Sequence, residues 1–140
     1  MRKTFGIVIG CILLCGLAMA AMLAEAPSAT VTVTINGKED TKGVDMPWFQ
    51  LSKGKHETVS WMNASGKDCM IIYHGESPFD PKNNPIGIAN GQTSDPREPT
   101  NTREPNDEEK THPDKVYKFY EYTVACHGLP TFDPGNGIKP

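Results

Sequence analysis

Tyr120-Glu121-Tyr122-Thr123-Val124-Ala125-Cys126-His127 is the stretch that decides the fold. Large aromatic and β-branched residues alternate there, the period-2 pattern of a strand with one buried face. Tyr120, Tyr122 and Val124 fall on one face; Phe119, Thr123 and Ala125 fall on the other. The strand runs straight into a Cys-His pair. Working outward, residues 57–62 form a second strand with Val59 and Trp61 on a shared face. Residues 63–68 are a polar loop, and Cys69 opens a strand to Tyr73. That strand is almost continuously apolar, so both of its faces are expected to be covered. Residues 29–35 alternate Thr with Val and Ile, and residues 48–51 form a short strand after Pro47. Asn36-Gly37 and Lys53-Gly54 are turn signals, and residues 38–45 read as a polar loop. Residues 128–130, Asp133-Pro134-Gly135 and Asn136-Gly137 read as turns too. No helix-period segment of useful length and no internal repeat follows. Short strands split by Gly and Pro predict an all-β, Greek-key antiparallel β-sandwich.

Between residues 75 and 114 the pattern stops. This stretch holds seven of the twelve prolines, and beyond Phe79, Ile86 and Ile88 it offers little to bury. It reads as a long, irregular, mobile Pro-rich insertion whose start is anchored by Ser77-Pro78-Phe79. Its length makes it the expected partner surface.

The first residues read as a secretory signal peptide. Arg2 and Lys3 precede a charge-free apolar run, and Ala18-Met19-Ala20 fits an A-x-A cleavage site. The division expected is therefore 1–20 signal, with cleavage as late as residue 28, and 29–140 domain. An uncleaved run of that length could span a bilayer; cleavage is the preferred reading, leaving no membrane span. After cleavage, 12 Lys and Arg face 17 Asp and Glu, without a basic patch. Nucleic acid and anionic membrane surfaces are excluded as partners on that ground. A secreted or periplasmic location follows, and an unknown protein or small molecule is the expected partner. Cys11 and Cys15 leave with the signal, and Cys69 and Cys126 remain. Two cysteines in an oxidising compartment form a disulfide by default.

The mature chain resembles the cupredoxins, the plastocyanin and azurin type of Greek-key sandwich. The residues that carry the resemblance are Leu51-Ser52-Lys53-Gly54 leading to Val59-Ser60-Trp61-Met62-Asn63, and Tyr120-Glu121-Tyr122-Thr123-Val124. It covers residues 30–73 and 116–138. A type-1 copper centre needs two His, one thiolate and a weak axial ligand. The resemblance places the first His near Cys69, the thiolate at Val124, the second His at His127, and the axial Met among Leu129, Thr131 and Phe132. Only His127 keeps its ligand, so a type-1 site is not expected. The resemblance also makes Cys69 and Cys126 neighbours, since both sit in loops that meet at one end of the sandwich. A disulfide there would stand where relatives hold copper, and it would tie both ends of the insertion. The alternative is a copper-handling or electron-transfer protein that uses Cys69, Cys126 and His127 as ligands, with Met70 and His74 close by.

Other motifs are sparse. His56, His74 and His112 read as surface residues. Asn63-Ala64-Ser65 is a glycosylation sequon, relevant to Asn63 only in a eukaryotic host. No G-x-S-x-G, H-E-x-x-H, phosphate loop or C-x-x-C pattern is present, so no enzyme is expected. The expectation is a binding or structural module with no cofactor favoured and copper as the alternative.

Overall fold

The computed structural model describes residues 28–140. The expected signal segment and the choice between cleavage and anchor lie outside the described residues. Among the described residues, no helix is long and apolar enough to cross a membrane.

The domain is an all-β sandwich. Its strands are β1 (Thr30–Ile35), β2 (Trp48–Ser52), β3 (Thr58–Asn63), β4 (Cys69–Tyr73), β5 (Ile86–Ile88), β6 (Lys118–Cys126) and β7 (Gly135–Lys139). One sheet pairs β1 with β3; the other runs β2-β7-β6-β4-β5. The core lies between them. Val33, Ile35, Val59 and Trp61 from the first sheet meet Phe49, Leu51, Ile71, Tyr73, Tyr122, Val124 and Ile138 from the second. The alternation in β6 is as expected, with Tyr120, Tyr122, Val124 and Cys126 all buried.

Four expectations need correction. The sheets are mixed: β1 pairs with β3 and β2 with β7 in parallel. The reason is connectivity. The chain leaves β1 for the other sheet, forms β2, and returns for β3, so β1 and β3 run the same way. Asn36-Gly37 is accordingly no two-residue hairpin; it leads into a short 3-10 turn, Glu39–Thr41.

Asn136-Gly137 is not a turn but part of β7. Its neighbours require small residues there. A Cβ on Gly137 would stand 2.7 Å from Val116 and 3.0 Å from Trp48, and one on Gly135 would stand 3.0 Å from Trp48. Asn136 is fully buried and its Oδ1 accepts a hydrogen bond from Tyr73 Oη at 2.8 Å. Burial pushes the Tyr73 hydroxyl well above the ordinary tyrosine range, so it stays protonated and donates.

β4 is covered on one face only. Cys69, Ile71 and Tyr73 point inward, while Met70 is 45% exposed.

The insertion is the fourth correction. Ser77, Pro78 and Phe79 are buried as expected. Beyond them the insertion supplies sheet. β5 pairs antiparallel with β4. Residues 91–97 then hydrogen-bond along the free edge of β3: Asn63 N to Gln92 O (2.8 Å), Ser94 N to Trp61 O (2.9 Å), and Val59 and Arg97 exchange both bonds (3.0 and 2.8 Å). Ser94 to Arg97 opposes only Trp61 to Val59, so one extra residue is accommodated as a bulge. Pro96, which has no N–H, sits in that bulge. The Trp61 N–H is met instead by Ser94 Oγ at 3.0 Å. Further along, α1 (Asp107–Lys110) is a single turn closed by a capping box between Asn106 and Glu109. Two side-chain ties bind the insertion to the 53–56 turn: Lys53 Nζ to Glu104 and His56 Nδ1 to Glu98, at 2.5 and 2.6 Å.

Candidate functional site

The β3–β4 loop and the end of β6 meet at one end of the sandwich, as the resemblance implies. Cys69 and Cys126 are register partners in the antiparallel β4–β6 pair. His127 N donates to Asp68 O at 3.0 Å, which makes Cys69 and Cys126 a non-hydrogen-bonded pair. In such pairs the Cα atoms come closest and the side chains are nearest. The sulfurs are bonded at 2.05 Å with Cα atoms 4.0 Å apart and a sequence separation of 57. Both cysteines are buried.

Asn63 organises the loop beneath this bond. Its Nδ2 donates to Lys67 O (2.7 Å) and Ile88 O (2.9 Å), and its Oδ1 accepts from Ser65 N and Ser65 Oγ. Ser65 Oγ in turn lies 3.1 Å from Cys69 Sγ. Asn63 is fully buried, and both of its amide hydrogens are committed. The sequon asparagine is thus a buried residue with its amide committed to the fold.

Each position that the resemblance assigns to copper can now be placed. Cys69, at the first His position, has its sulfur in the disulfide. Val124, at the thiolate position, is fully buried and exchanges backbone hydrogen bonds with Phe132 (2.8 and 3.1 Å). Phe132, in the axial region, is buried against Gly43; a Cβ on that glycine would stand 2.3 Å from the ring. Leu129 is half-buried against the core, and Thr131 is exposed. His127 is exposed, one step past the buried Cys126 on an alternating strand. The donor set does not fit type-1 copper: the thiolate position is a hydrocarbon, and both cysteine sulfurs are bonded to each other and carry no thiolate charge. The alternative set of Cys69, Cys126 and His127 is brought to the same end of the molecule, but its two sulfurs are bonded to each other. Among the described residues, no three or more His, Cys, Asp or Glu side chains cluster in a metal-holding arrangement.

Sequence reasoning missed a second polar group. His74 Nε2 lies 2.5 Å from Thr123 Oγ1, and Thr123 donates to Asp133 Oδ1 at 2.6 Å. Since a carboxylate only accepts, the Thr hydroxyl donates to Asp133 and receives its bond from the His74 N–H. These residues sit on the outer face of the five-stranded sheet. The period-2 pattern places His74 and Thr123 on that face, but the pairing of β4 with β6 cannot be read from a single strand.

No protein-family model matches the chain, and no curated protein matches it. Among solved structures the chain is similar to the McoA multicopper oxidase from the hyperthermophile Aquifex aeolicus, with a TM-score of 0.38 and 11% sequence identity. That likeness covers 81% of this chain and 30% of the oxidase. Such a distant likeness assigns no chemistry to this chain.

Proposed function

We propose that this chain is a cupredoxin-like binding module without type-1 copper, secreted or periplasmic, and not an enzyme. The observation that carries the reading is the exchange at the copper end. Val124 and Phe132 close the position with hydrocarbon, and the Cys69–Cys126 bond joins the ends of the paired strands β4 and β6 where a metal would otherwise sit. A buried disulfide also suits an oxidising compartment. The insertion, which adds pairing to both sheets, acts first as scaffold and only through its exposed residues as a partner surface.

The test is copper uptake by the purified, folded chain. Incubation with Cu(II), and separately with Cu(I) under reductant-free anaerobic conditions, should leave no stoichiometric metal after gel filtration and no intense blue absorption. Stoichiometric copper that is lost in a His127→Ala variant would favour the copper-handling reading instead.

A further inference from the structure

The outer face of the five-stranded sheet carries an aromatic platform. Trp48 lies flat across β7, so close that a Cβ on Gly135 or Gly137 would stand 3.0 Å from its six-membered ring. One face of the indole thus rests on glycine backbone, and the side chain remains 41% exposed. Phe119, 63% exposed, extends it: the ring centroids are 5.6 Å apart and the planes differ by 31°. Beside Phe119 is an open depression of about 400 Å³ lined by Glu121, His74, Glu76 and Lys118. The register sets Trp48 opposite Gly135 and Gly135 opposite Glu121. His74 follows one step past the Tyr73–Tyr122 pair, beside Glu121. Glu76 and Lys118 neutralise each other at 3.0 Å.

We propose that this face binds a neutral glycan, with a pyranose ring stacked on Trp48 and Phe119 and its hydroxyls met by Glu121 and Lys118. The flat C–H face of a pyranose is weakly positive and complements the negative face of an aromatic ring. Sugar hydroxyls both donate and accept, so they need a rim that offers carboxylate acceptors and an ammonium donor, as here. The platform is shallow and open, which suits a chain passing across it more than an enclosed small molecule. Charge argues against polyanions: the chain carries a formal −3, and Glu121 and Asp133 add carboxylates to this face. Area argues against a protein partner. Two aromatic side chains bury roughly 150–250 Å² each at most, well short of the ~800 Å² per partner of a standard interface. The proposal deepens the binding-module reading and rests on it only for the claim that the domain is a binder; copper content is read separately.

The experiment is affinity electrophoresis of the full chain in gels holding β-glucan, mannan or soluble chitin, with polygalacturonate as the polyanionic control. Retardation on at least one neutral polysaccharide is expected, accompanied by a shift of Trp48 fluorescence. Phe119→Ala removes a largely exposed side chain and should fold normally; it is expected to weaken retardation about tenfold, the loss of one stacked ring. Glu121→Gln should also weaken it, while the circular dichroism of both variants stays that of the parent. The proposal is overturned by no retardation on any neutral polysaccharide, by retardation on polygalacturonate alone, or by retardation indifferent to both substitutions. It is equally overturned if sedimentation shows a concentration-dependent dimer that Phe119→Ala abolishes, because the platform then pairs with a second copy.

Discussion

Asn63, Gly137 and the two cysteines show how single residues hold this molecule together. Asn63 spends its whole side chain on the loop under the disulfide and on β5. Replacing it with Ala leaves the carbonyls of Lys67 and Ile88 without that partner. Asn63→Ala is expected to cost about 1–3 kcal/mol, read as a lower midpoint in chemical denaturation; an unchanged midpoint would remove Asn63 from its organising role. Gly137 is held small by Val116 and Trp48. Gly137→Ala forces both to shift and is expected to cost about 1–3 kcal/mol, the usual range for overpacking. A Gly137→Ala protein as stable as the parent would show that the indole does not rest on β7. The cysteine pairing was legible, because two cysteines and two loop-flanked strands leave few partners. Asn63 and Gly137 were not. An Asn in a sequon and a Gly after Asn carry the same letters whether they face solvent or core, and only the packing across β7 and β5 distinguishes them.

At the level of elements, strands with alternation or a continuous apolar run were readable, and those with neither were hidden. β1, β3 and β6 announce themselves through paired aromatic or β-branched residues. β5 has three residues, two of the five in β7 are glycine, and the 91–97 edge is broken by Pro96, so each draws its pairing from neighbours instead of from propensity. The insertion is therefore a structural part. Deleting residues 80–112 removes β5 and the outer edge beside β3, and is expected to abolish cooperative unfolding; a deletion variant that keeps the parent's near-ultraviolet spectrum would contradict this. Within the insertion, Arg103 hydrogen-bonds Glu109 and, with the Asn106 N–H, holds its carboxylate down to about 2 from an ordinary value of 4.5. The sign follows from the depressed folded-state value. The contribution is fully present above pH 4.5 and is lost as pH falls toward about 2. Hydrogen-exchange protection at residues 106–110, taken relative to the unstructured rate at each pH, is expected to fall across that window in the parent. In Glu109→Gln it should be low throughout, and equal protection in both proteins would contradict the assignment.

For the whole molecule, the disulfide stands as a covalent clamp between two sheet strands that bracket the insertion. Its sequence separation of 57 residues corresponds to about 4 kcal/mol of loop-closure entropy in the chain-entropy model. That is a large share of the ~5–15 kcal/mol typical of a domain this size. A Cys69→Ala/Cys126→Ala double variant is expected to lose stability of that order without losing the fold, as judged by denaturant midpoints and circular dichroism. The sandwich architecture was accessible from strand pattern because a two-layer core demands it. The mixed pairing was not, since period-2 patterning fixes which face is buried and says nothing of strand direction. The central claim is that a sulfur–sulfur bond takes the place of a metal at one end of this sandwich. Native mass spectrometry of the folded chain after exposure to copper, followed by intact mass with and without reductant, tests it most directly. The account requires a chain free of copper that gains the mass of two hydrogen atoms on reduction. A chain that holds one copper ion and gains nothing on reduction would contradict it.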